Sequence, residues 1–288
     1  VTEPSTDLLR ILHLSDTHLF GADPSGTGDR PLHYGRVDTT AALRRVLDRA
    51  SVLTRLDLVV ASGDLSDDGS PDSYRQLREL IDPWAAARGA DVLYAMGNHD
   101  LREGFEAVLG ARERVATVRG RRIIVLDSSV PGAGYGAVDA AQLERLRAEL
   151  AVPAEYGSVL VLHHPPVPAL TPLLAALQLQ DPQPLLEVCA AGDVRVILAG
   201  HYHHPLATSV RGIDVFVAPG VANTTDVTAC AGHESARTGA GFALVELPAR
   251  GPARCVPVSA PAPDDGTVIF DLPPDEVRRI AIAAGPAA

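Results

Sequence analysis

The chain has 288 residues, 46% of them hydrophobic, enough to bury a large core in one big domain or two modest ones. Its formal net charge of -11 argues against a long DNA or RNA partner, because non-specific nucleic-acid binders are basic. Cys189, Cys230 and Cys255 form no C-x-x-C pair, and an odd count does not make a disulfide framework; Cys189 and Cys255, in apolar surroundings, read as small core residues. The opening stretch VTEPSTDLLR lacks a basic start followed by an apolar segment, and no long apolar run occurs, so a soluble cytoplasmic protein with no membrane span is expected.

Residues 1–8 read as a loose start, and the apolar strand 9–14 ends at Ser15-Asp16-Thr17-His18. The stretch 20–34, rich in glycine and proline, reads as a loop longer than most connections, and such loops are more often functional than idle. Leu43, Val46, Leu47 and Val52, with charges between them, predict an amphipathic helix within 36–53. The second strand, 56–61, leads to Gly63-Asp64. Ser70-Pro71 marks the next helix start, a hydroxyl cap followed by proline, with Tyr74, Leu77, Leu80 and Ile81 on its apolar stripe. The third strand, 92–96, ends at Gly97-Asn98-His99-Asp100, and a short helix follows through Phe105 and Leu109.

A fourth strand is expected over 122–126, and Asp139 with Gln142 resembles a capping box ahead of Leu143, Leu146 and Leu150. The strand 159–162 ends at His163-His164-Pro165-Pro166. Residues 167–181, rich in proline and leucine, suggest no definite element; a helix near 184–190 leads into the strand 194–199. Beyond His204 only short strands are expected, at 213–218, 242–246, 255–259 and 268–270, before a helix over 274–284. Alternating strands and helices followed by a strand-rich third predict one layered α/β domain over 1–288, its metal-binding motifs within 11–204 and a strand-rich part at 205–288.

The strand ends carry the chemistry. The run 194–199 is followed by Gly200-His201-Tyr202-His203; in extended backbone, residues two apart point the same way, so His201 and His203 could reach one site. Five apolar strands end in metal-ligand types: Asp16 and His18, Asp64, Asn98 and His99, His163, and His201 and His203. Taken singly, Asp16 or Asp64 could cap a turn and His163 could be a satisfied core histidine. Five such ends in order are hard to reconcile with chance, and ligands at the carboxyl ends of successive strands converge. No Gly-x-x-x-x-Gly-Lys-[Ser/Thr] loop is present, and neither Ser15 nor Ser62 stands in a Gly-x-Ser-x-Gly context.

The order Asp16-x-His18, Gly63-Asp64, Gly97-Asn98-His99-Asp100, His163 and Gly200-His201-x-His203 resembles the calcineurin-like metallophosphoesterase superfamily. Within it the chain is most similar to the bacterial class III cyclic-nucleotide phosphodiesterases, through 32–37, 126–132 and 162–166. The resemblance implies a four-layer αββα sandwich of two mixed sheets flanked by helices. It implies one metal on Asp16, His18, Asp64 and His203 and a second on Asp64, Asn98, His163 and His201, with no ligand lost. Oxygen and nitrogen donors suit Fe/Mn or Mn/Mn, with Zn or Co as alternatives.

The implied reaction is hydrolysis of a small phosphodiester, 3′,5′-cyclic nucleotide to 5′-nucleotide, by a hydroxide held between the metals. His99 is then the proton donor, Asp100 its orienting partner and Asn223 a candidate substrate contact, with a turn residue as its plainer reading. Extra imidazoles, His164 and His204, are expected outside the ligand set. Rival readings are a 2′,3′-cyclic nucleotide or glycerophosphodiester substrate, a phosphomonoesterase, and a non-catalytic interaction module on the same fold. The loops 21–34, 130–136 and 220–241 are expected to decide among substrates. Superfamily relatives often form homodimers, and 166–179 is a candidate surface.

Overall fold

A computed structural model describes residues 7–21 and 30–286; the expected loose start and most of the long first loop fall on 1–6 and 22–29, outside the described residues. In chain order the first elements are β1 (Leu9–Leu14), α1 (Thr39–Ala50), β2 (Leu58–Ser62), α2 (Pro71–Ala86), β3 (Asp91–Ala95), α3 (Arg102–Leu109), β4 (Arg114–Val118) and β5 (Arg121–Val125). Next come α4 (Ala140–Leu150), β6 (Ser158–Val161), α5 (Pro172–Ala176), α6 (Gln183–Ala191), β7 (Val194–Ala199), β8 (Leu206–Val210) and β9 (Ile213–Val217). The last are β10 (Thr224–Thr225), β11 (Glu234–Arg237), β12 (Gly241–Leu247), β13 (Arg254–Ser259), β14 (Val268–Leu272) and α7 (Pro274–Ala284).

Two mixed sheets carry the core. One has the order β13-β12-β1-β2-β3, the other β4-β5-β6-β7-β9-β8; a third, β10-β11-β14, is small. Strand periodicity explains the layering, because alternate residues face opposite ways. Leu9, Ile11, Leu58 and Val60 meet Ile123, Val125, Val159, Val161, Val196 and Leu198 between the two large sheets. The intervening residues turn outward. Leu12, Leu14, Val59 and Ala61 pack under α1 and α2 with Leu43, Val46, Tyr74 and Leu77. On the other side Leu160, Leu162 and Ile197 pack under α4 and α6 with Leu143, Leu146, Leu186 and Val188. The result is helices, sheet, sheet, helices, the expected αββα order. Among the described residues, no helix is long and apolar enough to cross a membrane.

Four strands escaped the sequence. β4 and β8 are edge strands with exposed polar positions, and β10 and β11 are short and polar, so none has an apolar face to read. The expected capping box is half formed. Asp139 accepts from Gln142 N at 2.8 Å, but the buried Gln142 side chain bonds the Asp127 backbone instead, tying α4 to the end of β5.

Candidate metal centre

The carboxyl ends of β1, β2 and β3 in one sheet and of β6 and β7 in the other open onto one cleft. Its lining includes Asp64, Asn98, His99, His201, His203 and Asn223. His201 and His203 are not in extended backbone: their φ values are 67° and 51°. Asp16, His18 and Asp64 share this left-handed conformation, at 55°, 44° and 48°. Such strain, about 1–3 kcal/mol at each residue, persists only where the surroundings impose it. Here neighbouring loops are stitched together: Asp16 N donates to Gly63 O, His18 N to Asp64 O, and Ala222 N to Asp16 O, at 2.9–3.0 Å. At Gly63, φ is 103° and a Cβ would collide with the His163 ring.

The turn at Tyr202 therefore divides the two histidines instead of aligning them. His203 joins Asp16, His18 and Asp64, while His201 joins His163 and His164. Asp64 stands between the groups: its Oδ2 lies 3.3 Å from His163 Nε2 and 3.8 Å from His18 Nε2. Asp64 Oδ1 accepts from His99 N at 2.8 Å. In three of these imidazoles, His18, His163 and His201, the second nitrogen is occupied, which fixes the ring. His18 Nδ1 meets Asp67 Oδ1 at 2.9 Å, His163 Nδ1 donates to Ser62 O at 2.9 Å, and His201 Nε2 donates to Leu177 O at 3.0 Å. His164 is within reach, but Ser128 Oγ and Gly134 O take its two nitrogens at 2.9 and 3.3 Å. His204 stacks on Tyr202, with its Nδ1 toward Pro205 O. His204 belongs to neither ligand group on the two sides of Asp64.

The donor set fits cations. Asp16 Oδ2, Asn98 Oδ1 and His163 Nε2 are buried without a hydrogen-bond partner, and His203 Nε2 lies 3.3 Å from both His18 Nε2 and Asp16 Oδ1. Unpaired buried acceptors are costly, so convergent lone pairs call for positive charge. Burial and the neighbouring His33 hold His18 neutral, its pKa lowered to about 3 despite Asp67. Burial and the neighbouring imidazoles likewise push His201 well below its ordinary value. Burial opposes charge on His163 too, but Asp64 and Asp16 outweigh it and raise its pKa to about 9. A proton on His163 thus substitutes for part of the positive charge that the two carboxylates require. The two ligand groups on either side of Asp64 form a dinuclear metal site.

One expectation about the proton donor needs correction. Asp100 does not orient His99. It is buried, and its carboxylate accepts from Gly97 N (2.8 Å), Ser66 N (2.9 Å), Leu65 N (3.1 Å) and Tyr74 Oη (3.0 Å), pinning the loops after β2 and β3. Burial and the nearby Asp64 charge raise its pKa to about 6. The carboxylate facing His99 is Asp67, 3.6 Å from its Nδ1. Asp67 stands three residues after Asp64, a spacing that could have drawn notice. Within 166–179, Leu173, Leu174 and Leu177 line the cleft.

Residues outside the ligand set complete the site. His33 is buried between Asp67 Oδ1 and Asn223 Oδ1, 3.2 Å from each. Asn223 is thus fixed by His33 at the cleft wall. Glu234 of β11 accepts from Thr171 Oγ1 at 2.9 Å and Leu173 N at 3.3 Å, holding the α5 segment whose Leu177 carbonyl fixes His201. Tyr34, Thr225 and Phe270 also border the cleft. Cys189 packs in the core as expected, Cys255 is only partly buried against it on edge strand β13, and Cys230 is exposed; no thiol joins the ligand groups.

Residues 9–205 match the Calcineurin-like phosphoesterase family. The chain is 42% identical over 246 residues to a cAMP/cGMP dual specificity phosphodiesterase of Mycobacterium tuberculosis (strain CDC 1551 / Oshkosh), covering 82% of this chain and 75% of that protein. It is 40% identical to a probable cyclic nucleotide phosphodiesterase of Rhodococcus erythropolis (strain PR4 / NBRC 100887), covering 82% and 79%. Among solved structures, a dimetal phosphatase from Danio rerio shares the fold, with a TM-score of 0.57 at 16% identity over 88% of this chain and 99% of that one.

Proposed function

This chain belongs to the calcineurin-like phosphoesterase family, and from that premise we propose that it hydrolyses 3′,5′-cyclic nucleotides to 5′-nucleotides. The observation that carries the reading is Asp64, with Oδ2 between two groups of imidazoles whose free nitrogens converge on it. Asp16, His18, Asp64 and His203 would hold one ion; Asp64, Asn98, His163 and His201 would hold the other. Two ions held there would supply the positive charge that clamps phosphoryl oxygens and would lower the pKa of an attacking water. Oxygen and nitrogen donors without a thiolate favour Fe/Mn or Mn/Mn, with Zn or Co also compatible.

The chain's own residues do the rest. The oxygen of water forms a bond to phosphorus as the bond to O3′ breaks, and the departing O3′ takes a proton. His99 stands half-exposed in the cleft, its Nδ1 turned to Asp67, which leaves Nε2 to hand over that proton. Asp67 also holds the His18 ring, so one carboxylate serves both a ligand and the proton donor. Asn98 and Asn223 are the polar contacts available to the phosphate and ribose.

The test is a substrate panel on metal-reconstituted enzyme, with metal content measured alongside. The expected order is 3′,5′-cAMP and 3′,5′-cGMP ahead of simple diesters, with 5′-AMP poorest. A higher kcat/KM for 5′-AMP than for the cyclic nucleotides would sink the reading. Comparable rates on 2′,3′-cyclic nucleotides or glycerophosphodiesters would indicate a broad phosphodiesterase on the same metal floor. Full metal loading with no hydrolysis of any ester would leave the non-catalytic module.

A further inference from the structure

The ligand cleft opens to solvent above a polar floor of Asp64, Asn98, His99, His201 and His203. Tyr34 and Phe270 border it together with Leu173 and Leu177. Tyr34 is 57% exposed, although it sits in a carefully fixed place. Its φ is 50°, an uncommon backbone state for a bulky aromatic residue. The turn that imposes this state is closed by four backbone hydrogen bonds between residues 32 and 37. The root of the turn is His33, buried and lodged between Asp67 and Asn223. A strained turn is therefore anchored to the ligand floor while its aromatic tip is left open to the cleft. Folding stability does not explain that arrangement, because an exposed ring contributes little burial.

Phe270 arrives from β14, 236 positions along the chain, and meets Tyr34 edge to face at 5.0 Å between ring centroids and 68° between planes. Such a pair forms a corner with flat apolar surface beside a phosphoryl-binding floor. A planar heteroaromatic base attached to the sugar of a cyclic phosphate matches both parts at once. An aliphatic diester has no group that uses an aromatic face.

We propose that Tyr34 and Phe270 form a stacking subsite for the nucleobase of the substrate, an inference that rests on the phosphodiesterase reading. The subsite acts in binding and leaves the chemical step to the floor. Base–aromatic stacking tolerates any base, so cAMP and cGMP are both accepted.

The experiment compares 3′,5′-cAMP with the same cyclic ribose phosphate lacking its base, on metal-loaded enzyme. Wild type should prefer cAMP by roughly tenfold or more in kcat/KM, a preference expressed in KM. Tyr34→Ala and Phe270→Ala should each remove most of that preference while leaving the baseless substrate and the metal content unchanged. Tyr34→Phe, which keeps the ring, should retain it. Equal losses on both substrates, or a wild type without the preference, overturn the subsite. If wild type cleaves neither compound, the phosphodiesterase reading falls, and equilibrium binding then decides the subsite by itself. In that case 5′-AMP bound no tighter than ribose 5-phosphate overturns it, and tighter binding that is lost in Tyr34→Ala upholds it.

Discussion

The floor and the rim of the cleft are built on different principles. The floor residues Asp16, Asp64 and His163 are almost wholly buried, and they follow strands locked into the two central sheets. Their positions are set by cores that any member of the fold must have. The rim consists of a turn (Tyr34), a five-residue helix (α5) and the small sheet that carries Glu234 and Phe270. These short pieces lie outside the two central sheets and are tied to the floor by a few local bonds, such as Thr225 N to His203 O. The ligand residues thus rest on the fold's core, whereas the rim residues proposed to meet the base rest on short local elements. The two are nevertheless joined, through His33 to Asp67 and through Leu177 to His201.

The sharpest way to break the comparison is at Asp64. Asp64→Ala should empty both halves of the floor and lower kcat/KM on the order of 10³-fold or more, since it removes the shared ligand and the charge stabilisation it organises. Metal analysis should show both positions depleted, whereas His163→Ala should spare one. Retention of two ions by Asp64→Ala would mean that the halves are independent.

His99 comes next. His99→Ala should cost about 10²–10⁴-fold with cAMP, whose ribose leaving group needs a proton. It should cost much less with bis(p-nitrophenyl) phosphate, whose leaving group is stable as an anion. Similar losses with full metal content and rate-limiting chemistry would reduce His99 to electrostatic positioning. Asp67→Asn should share this substrate dependence. Asp100→Asn should instead lower thermal stability, because its carboxylate pins backbone and does not face the ring.

Glu234 tests whether the rim supports the floor. Glu234→Ala frees the start of α5 and should weaken binding of one of the two metals roughly 10–100-fold, the range for loss of an outer partner of a ligand. Glu234→Gln keeps an acceptor for Leu173 N and can donate to the Thr171 hydroxyl, so it should restore most of the affinity. Titration with Mn²⁺ reads this directly, and an unchanged second affinity in Glu234→Ala would separate rim from floor.

The smallest effect is on stability against pH. In metal-free protein His163 is raised from 6.5 to about 9, so its contribution is complete below about pH 6.5 and is lost as pH rises through 9. His13 and His164 behave oppositely: burial lowers both to about 3, so they are stabilising when neutral and cost stability as pH falls from 6.5 toward 3. Melting temperature of the metal-free protein should therefore peak near pH 6.5. Bound metal should flatten the alkaline limb by replacing the His163 proton, and an identical alkaline limb with and without metal would contradict the assignment of His163 to the centre.

The amino-acid sequence by itself determined the strand ends and the layered architecture. Asp16, His18, Asp64, Asn98, His163, His201 and His203 are legible because each follows an apolar run by a few residues, and covalent connection carries it to the edge of a sheet. The alternation of Leu58, Val59, Val60 and Ala61 between two apolar faces is likewise a local pattern, and it places both faces in cores. Only the tertiary structure decided what surrounds those ends. Tyr202 separates His201 from His203 because the left-handed turn is imposed by contacts, not by local preference. Asp67 rather than Asp100 faces His99, and His33 meets Asn223 190 positions away. Leu177 reaches His201 through a backbone carbonyl, which no residue type announces. The physical reason is common to all of these: hydrogen bonds and ring contacts between distant segments leave no periodicity in the chain, whereas burial of a strand face does.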